Sequence, residues 1–224
     1  MSVRLSIRLA SGILALGLAA MAAGSQAAPG ERMVKDTPLA VTAITEEDLR
    51  EANFGRSVLD VLNAARADPN AYAQTLTRYP GGPAAAAAIR GIAPMGPIRW
   101  DDKLYNAASI HAEDIGRAGV MSHTGSDGST ALGRIRAQGL IPTLTAEELS
   151  FGQTRPADVI AQLAIDLNVP GAMHRRDLFN PVFTYGGVGC RKHKKLKRVC
   201  VIVLTNTPRG YPAPPELPPG TQTR

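Results

Sequence analysis

Apolar residues recur at helical spacing along most of this chain, and one late stretch is apolar on both faces. Val58, Val61, Leu62 and Ala65 lie three or four residues apart and predict one buried face of a helix over residues 56–67. Thr45 opens a weaker pattern before it, with Asp48 three residues on as a reduced capping box. Asp68-Pro69 reads as a break and restart, the aspartate as cap and the proline at the first helical position. Tyr72 and Leu76 then share a face. Residues 79–97 read as a loop, with the alanine run 84–88 as one or two turns of helix. Leu104, Ala108, His111 and Ile115 form the stripe of a second major helix, capped by Asp101 or Asp102 and ended by Gly119. Leu132 and Ile135 mark a third helix over residues 130–138. Val159, Ile160, Leu163 and Leu167 mark a fourth, from Pro156 to about Leu167, with Asp166 at the edge of its face. Residues 174–180 read as a turn or short helix.

The period then changes. Residues 147–152 read as a short extended piece. Residues 183–190 and 198–206 are rich in Val, Ile, Thr and aromatics and predict an antiparallel hairpin. The run 199–204 is apolar on both faces, which suits a central strand covered on both sides.

The ends stand apart from these patterns. Arg4 and Arg8 precede an apolar stretch over residues 13–23 and a small-x-small site at residues 25–27, so residues 1–27 read as a signal peptide cut after Ala27. The alternative is an uncleaved anchor. Residues 28–44 read as a linker, residues 45–207 as the domain, and the proline-rich residues 208–224 as an extended tail. The mature form is expected to have no transmembrane helix and to be a monomer, secreted or periplasmic. Export permits a disulfide between Cys190 and Cys200, the alternative being two buried thiols. Closing so short a loop stabilises by roughly 2.5–3 kcal/mol.

Charge sharpens the picture at one place. The formal net charge is +6; removing Arg4 and Arg8 leaves +4. Arg191, Lys192, Lys194, Lys195, Lys197 and Arg198 supply six positive charges at the hairpin tip, so the rest of the mature chain is −2. A single basic patch with few aromatics argues against nucleic acid as a partner. The patch is expected to meet an anionic surface, with His193 adding charge on acidification. The alternative is a solvated turn that guards the hairpin from pairing with other strands.

The stretch SHTGSDGST, residues 122–130, is the most sharply specified loop. Gly125 and Gly128 accept positive φ, Ser126 and Asp127 suit bonds to their own backbone, and Ser129 suits the N-cap of the next helix. Such a loop fixes where His123 points. His111, on an apolar stripe, reads as a core residue rather than a ligand.

Six stretches occur in order: LNAARADPNAYA at residues 62–73, RWDDKLYNAASIHA at 99–112, SHTGSDGS at 122–129, RIRAQG at 134–139, EELSFG at 147–152 and HRRDLFNPVFTYGGVGC at 174–190. Together they resemble the CAP superfamily of cysteine-rich secretory, antigen 5 and pathogenesis-related 1 proteins, across about residues 50–206. The resemblance implies an α+β fold, a three-layer α-β-α sandwich with a small antiparallel sheet between helices. It also implies a cleft holding His123, Glu147 and His174, with Asp166 as the second acid. Three departures stand out. Glu148 replaces the family's asparagine, and Met173 replaces a glycine before His174. Asp166 is shorter than the glutamate of eukaryotic members, which argues against a direct bond to His174.

Two imidazoles and two carboxylates have three uses. They hold a metal, Zn²⁺ being suited to His123 and His174; they act as general acid and base; or they form a structural polar network. The two histidines are far apart in sequence, so the metal expectation rests on the resemblance. Ser122 and Ser129 lack a nucleophile motif. The reading favoured is an exported binding module with no catalytic residues. Its alternative is a metal-assisted hydrolase using the same cleft. The resemblance further implies lipid, sterol, glycan or protein partners.

Overall fold

The computed structural model describes residues 45–207; the expected signal peptide, linker and tail lie outside the described residues. Helix α1 runs Glu46–Ala67, longer than the 56–67 expected, because Thr45 closes a complete capping box with Asp48. Asp68 caps α2, Pro69–Leu76, by accepting from Ala71 N. The alanine run becomes α3, Gly82–Ile89. Arg99–Trp100 forms β1, a two-residue strand too short to leave a periodic trace. Asp101 caps α4, Asp102–Ala118, and Gly119 ends it in the left-handed region.

The rest of the chain follows the expected order. Helix α5 spans Ala131–Ala137, β2 Thr145–Phe151, α6 Pro156–Ile165, α7 Met173–Leu178, β3 Tyr185–His193 and β4 Lys197–Thr205. Helix α6 stops before Leu167, because Asp166 turns left-handed at its end.

The four strands lie in the order β1-β3-β4-β2. β1 runs parallel to β3, and the β3–β4 and β4–β2 pairs are antiparallel. Central β4 feeds two cores. Val199, Val201 and Val203 pack with Leu104, Ala108 and Ile115 of α4 and Ile135 of α5. Cys200, Ile202 and Leu204 pack with α1 and α6 through Leu62, Val159 and Ile160. Successive side chains of a strand point to opposite faces, so this division makes the three α-β-α layers.

Glycine sets how close the layers come. A Cβ on Gly187 would sit 2.1 Å from Tyr105 N, and one on Gly189 2.3 Å from Ser109 N. The α4 backbone thus lies against β3. On the opposite face, a Cβ on Gly55 of α1 would lie 2.1 Å from Val188 O.

Cys190 and Cys200 are disulfide-bonded and face each other across β3 and β4. Buried Arg66 ties the α1 core to the approach to β3. It donates to Gly96 O, Leu178 O, Asn180 O and Phe183 O.

Candidate functional site

Strand β2 carries Glu147 and Glu148 side by side, and consecutive strand residues face opposite ways. Glu147 turns toward α4 and α5. Its Oε1 accepts from His123 Nδ1 at 3.0 Å and its Oε2 from Arg134 at 2.6 Å. His111 Nε2 lies 3.8 Å from Oε1. Glu148 turns the other way, toward α6 and α7, where His174 Nε2 lies 3.7 Å from its Oε2.

The loop after α4 is pinned so that His123 meets Glu147. His111 Nε2 bonds Ser122 O at 2.9 Å. Asp114 accepts from Ser126 N and Oγ at 2.7 and 2.6 Å. The Ser126 hydroxyl thus bonds α4 rather than its own turn, whereas Asp127 Oδ1 accepts from Ser129 N as expected of a turn residue. Gly128 has φ +81, but Gly125 is not in the left-handed region. What Gly125 provides is room, since a Cβ there would lie 2.5 Å from Ser129 Oγ. The α5 cap is Thr130, which accepts from Gly133 N, not Ser129. The Ser129 carbonyl and hydroxyl instead accept from Arg134 Nη1.

The second histidine is held by a helix end. Asp166 caps α6 at φ 55 and ψ 43, which turns its short side chain toward α7. His174 Nδ1 donates to Asp166 Oδ1 at 2.6 Å, and Arg175 N donates to Oδ2 at 3.2 Å. The direct bond that the short side chain argued against is therefore made. Arg175 Nη1 also takes the carbonyls of Ala164 and Ile165. Met173, where the resemblance implies glycine, is 60 % exposed.

His123, Glu147, Asp166 and His174 thus form two pairs, one on each side of β2. No hydrogen bond joins the pairs among the described residues. A carboxylate only accepts, so each imidazole donates from Nδ1, and in its neutral form each keeps a lone pair on Nε2. That is the arrangement in which a carboxylate orients a histidine toward a metal. The donor chemistry at each imidazole therefore fits Zn²⁺. No cluster of three His, Cys, Asp or Glu able to hold a metal occurs among the described residues.

The two glutamates differ electrically. Burial pushes Glu147 up, but hydrogen bonds from His123 and Arg134, with the Arg134 charge, hold it below the ordinary carboxylate value. Burial pushes Glu148 up to about 8, with the Asp177, Asp166 and Glu147 carboxylates adding to the rise. The folded value of Glu148 lies above its unfolded 4.5, so its contribution to stability is complete below 4.5 and falls as pH rises through 8. The Glu148→Gln variant should match wild-type stability at pH 4 and exceed it increasingly toward pH 9. Denaturant unfolding in EDTA at the two pH values measures this. An equal difference at both would assign the effect to packing.

His111 is buried, its Nδ1 has no hydrogen-bond partner among the described residues, and burial lowers its pKa. Its core placement matches the apolar stripe. Arg134 was not legible as a site residue, although the third helix places it beside Ile135 on the inward face.

The basic patch is divided. Arg191 pairs with Asp48 and Glu113, Lys192 with Glu47, and Arg198 with Glu51. Lys194, Lys195 and Lys197 are exposed and form no ion pair among the described residues. His193 is buried rather than part of the exposed tip. Its Nδ1 accepts from Lys195 N and Leu196 N, and its Nε2 bonds Val120 O.

A family model for the cysteine-rich secretory protein family, CAP, matches residues 59–204. No curated protein matches the chain. Among solved structures, the chain is similar to an extracellular protein containing a SCP domain from Bacillus anthracis str. Ames. Identity is 20 %, TM-score 0.49, and coverage 74 % of this chain and 45 % of that one; this chain thus spans less than half the length of that relative. An outer surface protein from Borrelia burgdorferi matches at 20 % identity and TM-score 0.45, covering 67 % of this chain and 92 % of that one. A cysteine-rich secretory protein from Staphylococcus aureus subsp. aureus Mu50 matches at 13 % identity and TM-score 0.41, covering 68 % and 39 %.

Proposed function

Because the chain belongs to the cysteine-rich secretory protein (CAP) family, we propose that it is an exported binding module whose two carboxylate-oriented histidines take a divalent metal, Zn²⁺ fitting best. The observation that carries this is the matched state of the two imidazoles. Each gives Nδ1 to a buried carboxylate and keeps Nε2 for a ligand. The cystine suits an oxidising compartment. Binding is favoured over serine-type hydrolysis by how the nearby hydroxyls are used. Ser122 Oγ donates to Thr124 O, and Ser126 Oγ donates to Asp114. Neither is bonded to His123 in the way a base-activated nucleophile would be.

Titrating Zn²⁺ into untagged protein, with calorimetric readout, tests the metal. Wild type should take up the ion, and the His123→Ala/His174→Ala variant should bind it at least about 100-fold more weakly. Equal uptake by both would remove the metal from this reading. Turnover of peptide, ester or phosphodiester substrates by the loaded protein would favour a metal-assisted hydrolase instead.

A further inference from the structure

Strand β2 is one of the two outer strands of the sheet and, among the described residues, pairs only with β4. Gly152 N donates to Arg198 O, and Asn206 N donates to Leu144 O. The even-numbered residues of β2 therefore exchange their bonds with β4. Antiparallel pairing alternates, so the N–H and C=O groups of Thr145, Glu147, Leu149 and Phe151 point the other way. At Phe151 a side chain stands in for a strand: Phe151 N donates to Gln162 Oε1 at 3.2 Å, and Gln162 Nε2 donates to Phe151 O at 3.1 Å. For the outward groups of Thr145, Glu147 and Leu149, no partner occurs among the described residues.

Solvent reaches this edge. Glu147 as a residue is half-buried, yet its side chain is only 3 % exposed, so the accessible part is main chain. The edge also opens on a cavity of about 420 Å³ that Leu149 lines together with Tyr79, Leu163, Ile165, Asp166 and His174. Polar backbone groups in a regular row beside a partly apolar hollow are what an added strand recognises. The backbone supplies the hydrogen bonds, and alternate side chains supply specificity.

We propose that the free edge of β2 binds an extended peptide segment of another molecule as an added strand, with an apolar side chain of that segment seated in the cavity beside His174. Helix α6 closes the edge at Phe151 through Gln162, so the open stretch suits a short segment better than the long edge of a second folded copy. The peptide would lie over the Glu147–Leu149 backbone, with one histidine pair on either side of the strand. This does not depend on metal, because it uses only backbone groups and the cavity.

The test uses acetyl-Thr-Val-Leu-Val-Thr-amide and ¹⁵N-labelled protein in EDTA, with amide hydrogen exchange followed by NMR. The peptide should slow exchange at Glu147 and Leu149 by roughly tenfold or more and leave Glu148 and Ser150, already bonded to β4, unchanged. Of two analogues N-methylated on alternate residues, one should keep this effect and the other lose it. Unchanged exchange at about 1 mM peptide, protection elsewhere, or equal behaviour of the two analogues would overturn the proposal. So would protection of Glu147 and Leu149 in peptide-free protein that disappears on dilution, which would assign the edge to a second copy.

Discussion

Replacing Arg66 with methionine should cost about 3–5 kcal/mol of stability and lower the thermal midpoint by roughly 10–15 °C. Arg66 is fully buried and forms no ion pair among the described residues. Burial pushes its pKa down to about 10, which still leaves it charged at neutral pH. Its guanidinium satisfies four carbonyls from two separate segments, Gly96 on one and Leu178, Asn180 and Phe183 on the other. Methionine fills similar volume but leaves the buried Leu178 and Phe183 carbonyls without donors, and an unmade buried bond costs more than a made one contributes. Lysine should not rescue the loss, because a point charge with three donors cannot span that fork of carbonyls. Exposed Arg136→Met is the control and should change stability by no more than about 0.5 kcal/mol. Urea unfolding of the variants measures all of this. A loss of under about 1 kcal/mol in Arg66→Met would show that the carbonyls find water or other donors.

Replacing Arg134 with methionine should cost about 3–5 kcal/mol at neutral pH, because it strands the Glu147 carboxylate in a buried site. The pH profile identifies the cause. In wild type Glu147 is held below its unfolded value of 4.5, so it contributes stability above pH 4.5 that is lost as pH falls through the folded value. Without Arg134 the depressing partners are fewer and burial, which raises the value, dominates. Charged Glu147 then destabilises the variant at pH 7, and protonation relieves this at lower pH. The gap between wild type and variant should therefore narrow from pH 7 to pH 4. Adding Glu147→Gln should recover part of the loss at pH 7, as expected of residues that act as a pair. A gap independent of pH would instead assign the loss to the contacts with His123 O and Ser129.

The two arginines also show where sequence patterning loses its grip. The apolar stripes of α1, α4 and α6 and the doubly apolar β4 were readable because one period runs through each of them. Arg66 lies four residues after Leu62, on the same helix face, but a charge at a core position looks like an interruption of the stripe. Arg134 hides beside Ile135 for the same reason. The split of Glu147 from Glu148 is obscured because β2 is covered on both faces: EELS shows no alternation when each side holds a buried carboxylate. His123, Glu147 and His174 could be placed as site residues only through resemblance, since each is brought to its partner by contacts distant in sequence. The His174–Asp166 bond depends on the left-handed backbone at Asp166, and an aspartate at that position gives no advance sign of it.

The opposite facing of Glu147 and Glu148 has a consequence for how this chain can vary in length. One residue gained or lost within residues 145–147 would move the parity of the strand on one side of the change. If the register to β4 beyond it were kept, Glu147 would exchange faces and leave His123 and Arg134 opposite whatever residue took its place. No side-chain substitution would be needed to dismantle that pair. The spacing between the two ends of β2 is therefore as much a part of the site as its carboxylates, and loops outside the strand are where insertions can be accommodated.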